Sequence, residues 1–424
     1  MKSQFSTNYN PEVTNCKLDS LVAAFTQVLP EALNEYVYQC LHQVAARAIG
    51  NAAVSPSAEE AERLSCPRCG GHAFKWKTHR SRSVSASLVT SLGTIRVPQM
   101  QVQCCQCGRK RYLVRELLEL PSYARLTSLL EQKLALCGSL TSFRVGECMA
   151  ALFGSPFPRS TIWHCVQKVG ASMSFAISPD ERGEAQADGT GIPVHGAGKR
   201  GKELKVLIQR NTPETAGKTR SRWRVAGLDV GAYNGSWEKL FEPSLNAIRS
   251  FKPFLLTIDG DDGIRDGLGD AKILVQRCLW HIPHQLKHCL WGDRVARTSE
   301  LWQTIMGRAY QLVAIRSYLD DDEVSALLQD KQRRLIELVN LCESQGCAKS
   351  VSYLKNAEPD LFTALRNRLH GKATSQAERL MRTVNLRINY GKWSMAGALN
   401  AMKIRLAFYY NGFNPCQQNA GHAI

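Results

Sequence analysis

An acidic cluster closes one of the most apolar stretches of this sequence. The segment FLLTIDGDDGIRDGL, residues 254–268, begins as a buried strand would and then runs into Asp259, Asp261 and Asp262, with Gly260 after the first and Gly263 after the last. The whole chain carries a formal net charge of +17, so carboxylates gathered at a strand end need a reason. Two interpretations compete: a solvated acidic loop, or a site that holds a cation against an anionic substrate. Which of the three aspartates would bind that cation stays open.

Two acids elsewhere in the chain could share one site with Asp259. Asp188 stands before the glycine-rich end of EAQADGTGIPVHG, at the end of a predicted strand, and Glu378 lies in the arginine-rich predicted helix SQAERLMRTVNLRI. Neighbouring carboxylates repel each other unless a cation neutralises them, and Mg²⁺ or Mn²⁺ suits oxygen ligands. Such ions activate a nucleophile on one side of a phosphorus and stabilise the leaving oxygen on the other. We predict that Asp188, Asp259 and Glu378 are catalytic residues and Mg²⁺ or Mn²⁺ ligands.

Each acid also has a plain structural interpretation. Asp188 could be a turn residue at a strand end. Glu378 could be a surface acid paired with Arg382, four residues later on the same helix. Asp229, which also follows an apolar strand segment, is a rival acid.

Two close cysteine pairs predict a second, structural metal site. CPRCGG and CCQCG each contain C-x-x-C followed by glycine, and two such loops can hold one tetrahedral zinc ion at about 2.3 Å per sulfur. Alternating segments at 74–77 and 94–97 read as hairpin strands between the pairs, so we predict a zinc ribbon. Buried, inert cysteines are the alternative, and Cys105 leaves the ligands of the second pair slightly open. The predicted zinc ligands are Cys66, Cys69, Cys104 and Cys107.

A further cysteine and histidine group follows the acidic segment. Cys278 and His281 are predicted to make a structural contact. The alternative is a metal site that also includes His284, His288 and Cys289. The aromatic residues of these basic and acidic regions are predicted to be core residues rather than base-stacking platforms. They are Trp280, Tyr390 and Trp393.

The charge of the chain predicts a polyanionic partner. Lys and Arg outnumber Asp and Glu by 54 to 37, and the pI is about 9.3. Two separated basic stretches, 63–115 and 366–405, favour a long contact with nucleic acid over a single pocket, and the predicted nucleic acid is double-stranded DNA. The residues predicted to contact DNA are Lys75, Lys77, Arg109, Lys110, Arg111, His164, Gln167, Lys168, Arg379, Arg382 and Arg387.

Residues 139–173 have the pattern of a helix-turn-helix. One helix is predicted from 143 to 152, a turn follows through 154–158, and Ser160 and Thr161 cap a second helix that could enter the major groove of DNA. A helical hairpin within a core would show the same pattern.

Before this region, residues 18–47 are predicted to be helical with a break near Pro30, and 51–62 read as a linker.

From residue 184 onward the pattern predicts an α/β core. Apolar strand segments at 202–211, 223–233, 254–258 and 271–280 alternate with helical segments, which favours a mixed sheet. The chain is therefore predicted to be a multidomain α/β protein. Its predicted parts are a helical arm and linker (1–62), a zinc ribbon (63–118), a helix-turn-helix region (119–178) and a catalytic domain (179–424) with a helical insertion at about 294–370.

The ordered motifs of this core resemble those of a known family. TIDGDDGIRDGL followed by QRCLWHIPHQL resembles the second-aspartate block of Mutator-like bacterial insertion-sequence transposases, in which D-G-x-x-G-I precedes C-x-x-H. ADGTGIPV resembles the first-aspartate block, and SQAERLMRTVNLRI resembles the glutamate helix. The resemblance covers residues 180–410, roughly, and the crowded acidic loop departs from the family's lone aspartate. The residues that match the second block are Asp259, Gly260, Gly263, Ile264, Cys278 and His281.

The resemblance implies a ribonuclease-H-like fold with an Asp-Asp-Glu triad and an all-helical insertion before the glutamate. It implies a transposase that binds the terminal inverted repeats of its element, cuts DNA and joins it to a target, as a homo-oligomer on DNA. A DNA-binding relative that cuts nothing and a simple nuclease are the alternatives. The segment MKSQFSTNYNPEVTN lacks an apolar signal core, and no run of about 18 apolar residues occurs, so a cytosolic protein is expected. The resemblance implies that this cytosol is bacterial and that the protein is associated with the nucleoid.

Overall fold

The computed structural model describes most of the chain. The described residues are 18–48, 65–77, 86–91, 93–97, 101–112, 116, 118, 120, 124–151, 157–196, 201–219, 221–233, 235, 237–269, 271–315, 320–369 and 376–416. The predicted linker at 51–62 lies outside them. The chain divides into two compact units, the first comprising Met1–Cys137 with Phe143–Ile162 and the second Gly138–Ser142 with Trp163–Ile424.

The first unit begins with one long helix, α1 (Leu18–Ala48). The helix is continuous, so the predicted break near Pro30 is wrong. Its second half carries an apolar repeat, Leu33, Val37 and Leu41, that packs on the core of the cysteine-rich module. This i, i+4, i+8 stripe gives the helix a buried face beyond the proline.

The cysteine-rich module contains two small antiparallel sheets. Strands β2 (Ala86–Thr90) and β3 (Gly93–Val97) form a hairpin. The other sheet has the order β1-β4-β5. Both segments predicted as strands are strands, but they belong to different sheets. The strands of the second sheet are β1 (Phe74–Trp76), β4 (Gln101–Cys104) and β5 (Lys110–Tyr112).

Three helices follow: α2 (Ser128–Leu140), α3 (Phe143–Ala150) and α4 (Arg159–Ser172). Helices α3 and α4 lie where the two helices of the helix-turn-helix were predicted. The division between the two compact units falls within α4, between Ile162 and Trp163.

A five-stranded mixed sheet forms the centre of the second unit. Its order is β10-β9-β6-β7-β8, in which β6, β7 and β8 are antiparallel neighbours while β9 runs parallel to β6 and β10 parallel to β9. The mixed α/β plan predicted from the sequence is therefore present. The strands are β6 (Glu184–Ile192), β7 (Lys202–Arg210), β8 (Trp223–Gly231), β9 (Leu255–Ile258) and β10 (Leu274–Arg277).

Short helices connect these strands, and all of them except the first, which buries no residue, pack against one face of the sheet. Their apolar residues, with Trp237, Phe241 and Ile248 among the most buried, pack against Ala185, Ala187 and other strand residues. The helices are α5 (Pro213–Thr219), α6 (Glu238–Phe241), α7 (Leu245–Ser250) and α8 (Asp262–Leu268), with a 3₁₀ turn at Glu242–Ser244.

Between β10 and residue 369 the described residues contain helices and no strand. A core of their own, including Leu286, Leu312 and Leu338, holds these helices together. This matches the predicted helical segment before Glu378. The helices are α9 (His281–Gly292), α10 (Glu300–Val313), α11 (Asp321–Ser344), α12 (Ala348–Ala357) and α13 (Thr363–Arg366), with a 3₁₀ turn at Glu358–Asp360.

Two helices complete the second unit: α14 (Gln376–Ile388), which carries Glu378, and α15 (Met395–Tyr410). Helix α14 contacts β6, and α15 contacts β8. Among the described residues, no helix combines the length and apolar character that a membrane crossing requires.

Candidate functional site

The three predicted catalytic acids line one small cavity of the second unit. Asp188 comes from β6, Asp259 follows β9, and Glu378 lies in the first turn of α14. Cys278 and His281 line the same cavity, so the structure brings together every member of the predicted carboxylate and Cys-His sets. Asp229, the rival acid, is not among the lining residues.

The sheet register explains why the two aspartates meet. Strand β9 pairs in parallel with β6, and the last pair is Ala187 opposite Ile258. The next residue of each strand segment is an aspartate, so Asp188 and Asp259 lie side by side. Asp188 lies inside β6 and pairs with Val206 of β7, so its prediction as a strand-end residue is wrong. The glycines that follow it continue the strand instead of ending it.

Hydrogen bonds decide which aspartate of the acidic loop faces the cavity. One oxygen of Asp261 accepts from the Gly263 amide at 2.9 Å and caps α8, while the other accepts from the Trp237 indole N–H at 3.0 Å. Asp262 is exposed in the first turn of α8. Asp259 is left as the cavity acid, and its Oδ1 accepts from the Asp261 amide at 2.9 Å.

The loop is also held from its other side by an arginine. Gly260 has φ +110°, and a side chain there would collide with the guanidinium of Arg277. The Nη1 of Arg277 lies 3.4 Å from the carbonyl oxygen of Asp259. Glycine is thus required at 260 both for its backbone conformation and for the space that the arginine fills.

A buried amide positions the glutamate. Gln186, two residues before Asp188 and on the same face of β6, accepts a hydrogen bond from the Ala377 amide at 3.1 Å. This bond satisfies an otherwise unpaired N–H at the start of α14 and fixes the helix end beside the strand. Glu378 is the next residue, and its Oε1 lies 3.1 Å from Nε2 of His281.

The charges of the cavity are strongly coupled. Burial, followed by repulsion from Asp259 and Glu378, raises the pKa of Asp188 to about 7, although the nearby His281 opposes this shift. Burial disfavours charge on His281, but hydrogen bonds to Cys278 and Glu378 outweigh it and raise its pKa to about 10. The hydrogen bond from His281 in turn lowers the pKa of Glu378. One positive charge therefore faces several carboxylates.

The Cys278–His281 pair belongs to this cavity as a structural contact. Among the described residues, only the four-cysteine cluster of the first unit brings at least three metal-ligating atoms of Cys, His, Asp or Glu close enough for one ion. By the same measure, neither the histidines of α9 nor the trio Asp188, Asp259 and Glu378 forms such a group in this structure.

The cluster in the first unit consists of the four predicted cysteines. Their sulfur atoms all lie within 4.8 Å of one another, which could accommodate one structural zinc ion. A backbone N–H bond from Arg68 is the main reason that the pKa of Cys66 falls to about 6, and a bond from Cys107 lowers that of Cys104. Cys105 is exposed and outside the cluster. The cluster members are Cys66, Cys69, Cys104 and Cys107.

Several residues predicted to contact DNA lie at the surface. The side chains of Lys77 and Lys110 are close enough for Lys110 to lower the pKa of Lys77. The exposed members of the predicted set are Lys75, Arg109, Lys110, His164, Lys168, Arg379 and Arg382.

Three other predicted DNA contacts are engaged within the protein. Arg111 is 8% exposed, pairs with Glu116 and donates to the Ser65 carbonyl. Arg387 is 3% exposed, covers the Trp393 ring and donates to the Gly138 carbonyl at 3.1 Å. To reach a phosphate, either arginine would have to leave these contacts, so their DNA contacts stay predictions.

Gln167 is the third predicted DNA contact that is engaged within the protein. Its Oε1 accepts from Asn400 of α15 at 2.9 Å, and its Nε2 is buried, so a base-reading role would require the side chain to leave this contact.

The sequence argument missed the residues that hold the acids in place. Gln186 could have been found, because alternation puts it on the same strand face as Asp188. Trp237 and Arg277 are far from the acidic loop in sequence, and nothing local marks them as its supports. Comparison of the chain with protein-family models and with curated proteins finds no match.

Proposed function

We propose that this chain is a DNA transposase that cuts and joins DNA strands by metal-dependent phosphoryl transfer. The observation that carries the proposal is the convergence of Asp188, Asp259 and Glu378, from three distant parts of the chain, on one cavity. Such a set is costly unless it has a use, because neighbouring carboxylates repel each other and the buried Asp188 loses hydration.

The oxygen donors of the cavity suit a hard divalent cation in kind, and the three acids would have to draw closer together to bind one ion. Asp188, Asp259 and Glu378 would supply oxygen ligands of the kind that Mg²⁺ and Mn²⁺ take. The single histidine charge opposite Glu378 leaves net negative charge for a cation to neutralise. When bound, the cation would supply Lewis-acid stabilisation of the phosphoryl oxygens.

The protein's own residues would orient the reactants. His281 keeps Glu378 turned toward the aspartates, and the capped loop holds Asp259 beside β6. Arg379 and Arg382, exposed on α14 beside the glutamate, would grip phosphates of the DNA strand. Water would attack the phosphodiester at the element end and release a 3′-oxygen, and that 3′-hydroxyl would then attack a phosphodiester of target DNA, with one bond broken for each bond formed.

The fold supports the same assignment. Three antiparallel strands followed by two parallel strands, with a helical segment before the glutamate helix, agree with the plan implied by a ribonuclease-H-like transposase core. The neighbouring lysines Lys77 and Lys110, next to the four-cysteine cluster, support a DNA-binding role for a zinc ribbon. A complex of several copies on two element ends would complete the proposal.

A strand-cleavage assay tests it. The probe is a plasmid carrying the DNA that flanks the coding region, incubated with the full chain and Mg²⁺, Mn²⁺ or Ca²⁺. We expect nicking with Mg²⁺ and Mn²⁺ but not with Ca²⁺, whose looser geometry does not suit in-line transfer. Asp188→Asn, Asp259→Asn and Glu378→Gln should each reduce cleavage by more than about a hundredfold while DNA binding persists. Asp262→Asn, which changes an exposed acid of the same loop, is the matched control.

The products distinguish the alternatives. Joined element and target strands would identify a transposase, and cleavage without joining would identify a nuclease. DNA binding without any cleavage by the wild-type chain would favour a protein that only binds DNA. Wild-type cleavage by all three variants would reject the carboxylate site.

A further inference from the structure

An exposed aromatic surface begins where the carboxylate cavity ends. Trp280, which directly precedes His281, is 45% exposed, so its prediction as a core residue is wrong, and Tyr310 of α10 is 51% exposed. Between them lies a cavity of about 370 Å³, within the ~300–1,000 Å³ range of pockets that take small organic ligands. The residues that line it are Leu279, Trp280, Pro283, His284, Lys287, Tyr310, Val313 and Ile315.

The tryptophan is fixed by its neighbours on α9. Its ring stacks on His284 with 5.0 Å between centroids and 16° between planes. It meets the edge of His281 at 4.9 Å and 84°. Because His281 also contacts Glu378, the platform formed by Trp280 and His284 is one side chain away from the carboxylates. Because the indole is already held in place, it loses little further conformational entropy when a flat ligand stacks on it.

The side chains that line the cavity favour a ligand with a flat, mostly apolar ring and a negatively charged group. Aliphatic side chains of Leu279, Val313 and Ile315 form the walls, and Lys287 supplies a positive charge. An unpaired base of a DNA strand has this character, since its faces stack on aromatic rings and its phosphate attracts a lysine. The net charge of +17 draws the strand toward the protein as a whole.

We propose that this cavity, the Trp280 cavity, binds an unpaired nucleobase of the DNA strand that enters the carboxylate site. The inference rests on the proposed function and specifies how that site handles its substrate. A base stacked outside the duplex would leave its flanking phosphate accessible to the carboxylate cavity, as it does for enzymes that take a base out of the stack. A base would leave the stack most readily where its base pair in the duplex is already weakened.

Binding measurements without divalent metal test the cavity independently of cleavage. The probes are a single-stranded oligothymidylate and a blunt duplex of the same length. Trp280→Ala should weaken binding of the single strand by about tenfold and leave duplex binding within about twofold, because one stacking surface is lost and phosphate contacts remain. Trp280→Phe should restore most of the affinity. A duplex with one bulged 2-aminopurine should show quenched emission with the wild type and with Trp280→Phe, but not with Trp280→Ala.

Trp291→Ala is the matched control. Trp291 is 77% exposed on the same helix, about 16 Å from Trp280 along the axis, and does not line the cavity. Equal losses from both variants, or equal losses for single strand and duplex, would overturn the proposal. So would a loss of self-association in Trp280→Ala with DNA binding unchanged, since a second copy would then cover the surface. Because no cleavage is measured, loss of the proposed enzyme activity would leave this result intact.

Discussion

At the scale of single residues, the candidate site depends on side chains that do not themselves line it. The Asp259 loop is positioned by a relay in which the Trp237 indole donates to Asp261 and the Asp261 amide donates to Asp259. The sequence could place three aspartates in this loop but could not separate their roles, because they differ only in hydrogen-bond partners. One of those partners, Trp237, lies 24 residues before Asp261, and no local pattern reveals it.

Replacing Trp237 by phenylalanine tests the relay. The change keeps an aromatic ring in the core but removes the N–H, so one oxygen of Asp261 loses its partner. We expect the free energy of unfolding to fall by about 1–3 kcal/mol and cleavage to fall by roughly tenfold, with a higher Mg²⁺ requirement as the loop loosens. Thermal unfolding and a Mg²⁺ titration of cleavage measure the two effects.

Trp163→Phe is the control for this change, since Trp163 packs against Trp393 and does not contact the acidic loop. A Trp237→Phe protein that was less stable but had an unchanged Mg²⁺ requirement would reduce the role of Trp237 to packing.

At the scale of secondary-structure elements, the sequence predicted kinds of element better than their ends. The strands of the second unit and the helices of 281–366 were visible because their apolar residues repeat with periods of two and of three to four. Asp188 was misplaced because glycines commonly mark turns, whereas Gly189 and Gly191 here continue β6 as far as Ile192. Pairing with β7 overrides the local preference, and such pairing is a property of distant residues.

The four-cysteine cluster gives a sharp prediction at this scale. The first unit has short strands and a small core of its own, so a bound metal would contribute directly to its folding. Elemental analysis of the full chain, purified without chelator, should find about one zinc ion per chain. Cys69→Ser should lose that zinc and weaken DNA binding.

Cys105→Ser is the matched control for the cluster. Cys105 adjoins Cys104 but lies outside the cluster and is exposed, so its substitution should leave the zinc content unchanged. Loss of zinc from the Cys105 variant alone would move the ligand assignment to that residue, and an absence of zinc from the wild type would remove the site altogether.

At the scale of the whole molecule, some basic side chains are exposed and others are buried, and the amino-acid composition does not tell which. Arg379 and Arg382 are exposed on α14, whereas Arg387 on the same helix lies under Trp393. All three occur in one arginine-rich segment, and only the packing of α14 against its neighbours separates them. Counting basic residues therefore predicts a polyanionic partner but overstates how many charges are free to meet it.

The exposed residues divide into two groups with different expected roles. Phosphate contacts contribute affinity that falls steeply with salt and carries no base information, whereas contacts to base edges contribute specificity. Arg382, beside the carboxylate cavity, should belong to the first group. His164, exposed on α4, should belong to the second, since α4 is the helix predicted to read the major groove.

Binding measurements on Arg382→Ala and His164→Ala test this division. Each variant is titrated with DNA from the element ends and with random duplex at several salt concentrations. Arg382→Ala should weaken both complexes about equally and flatten the salt slope by roughly one unit, because one released counterion is lost. His164→Ala should instead reduce the preference for element ends by about 1–3 kcal/mol and leave the slope nearly unchanged. Arg297→Ala, which removes an exposed arginine outside the predicted contacts, is the charge-matched control. If Arg382→Ala abolished specificity and His164→Ala did not, then α14 rather than α4 would read the DNA sequence.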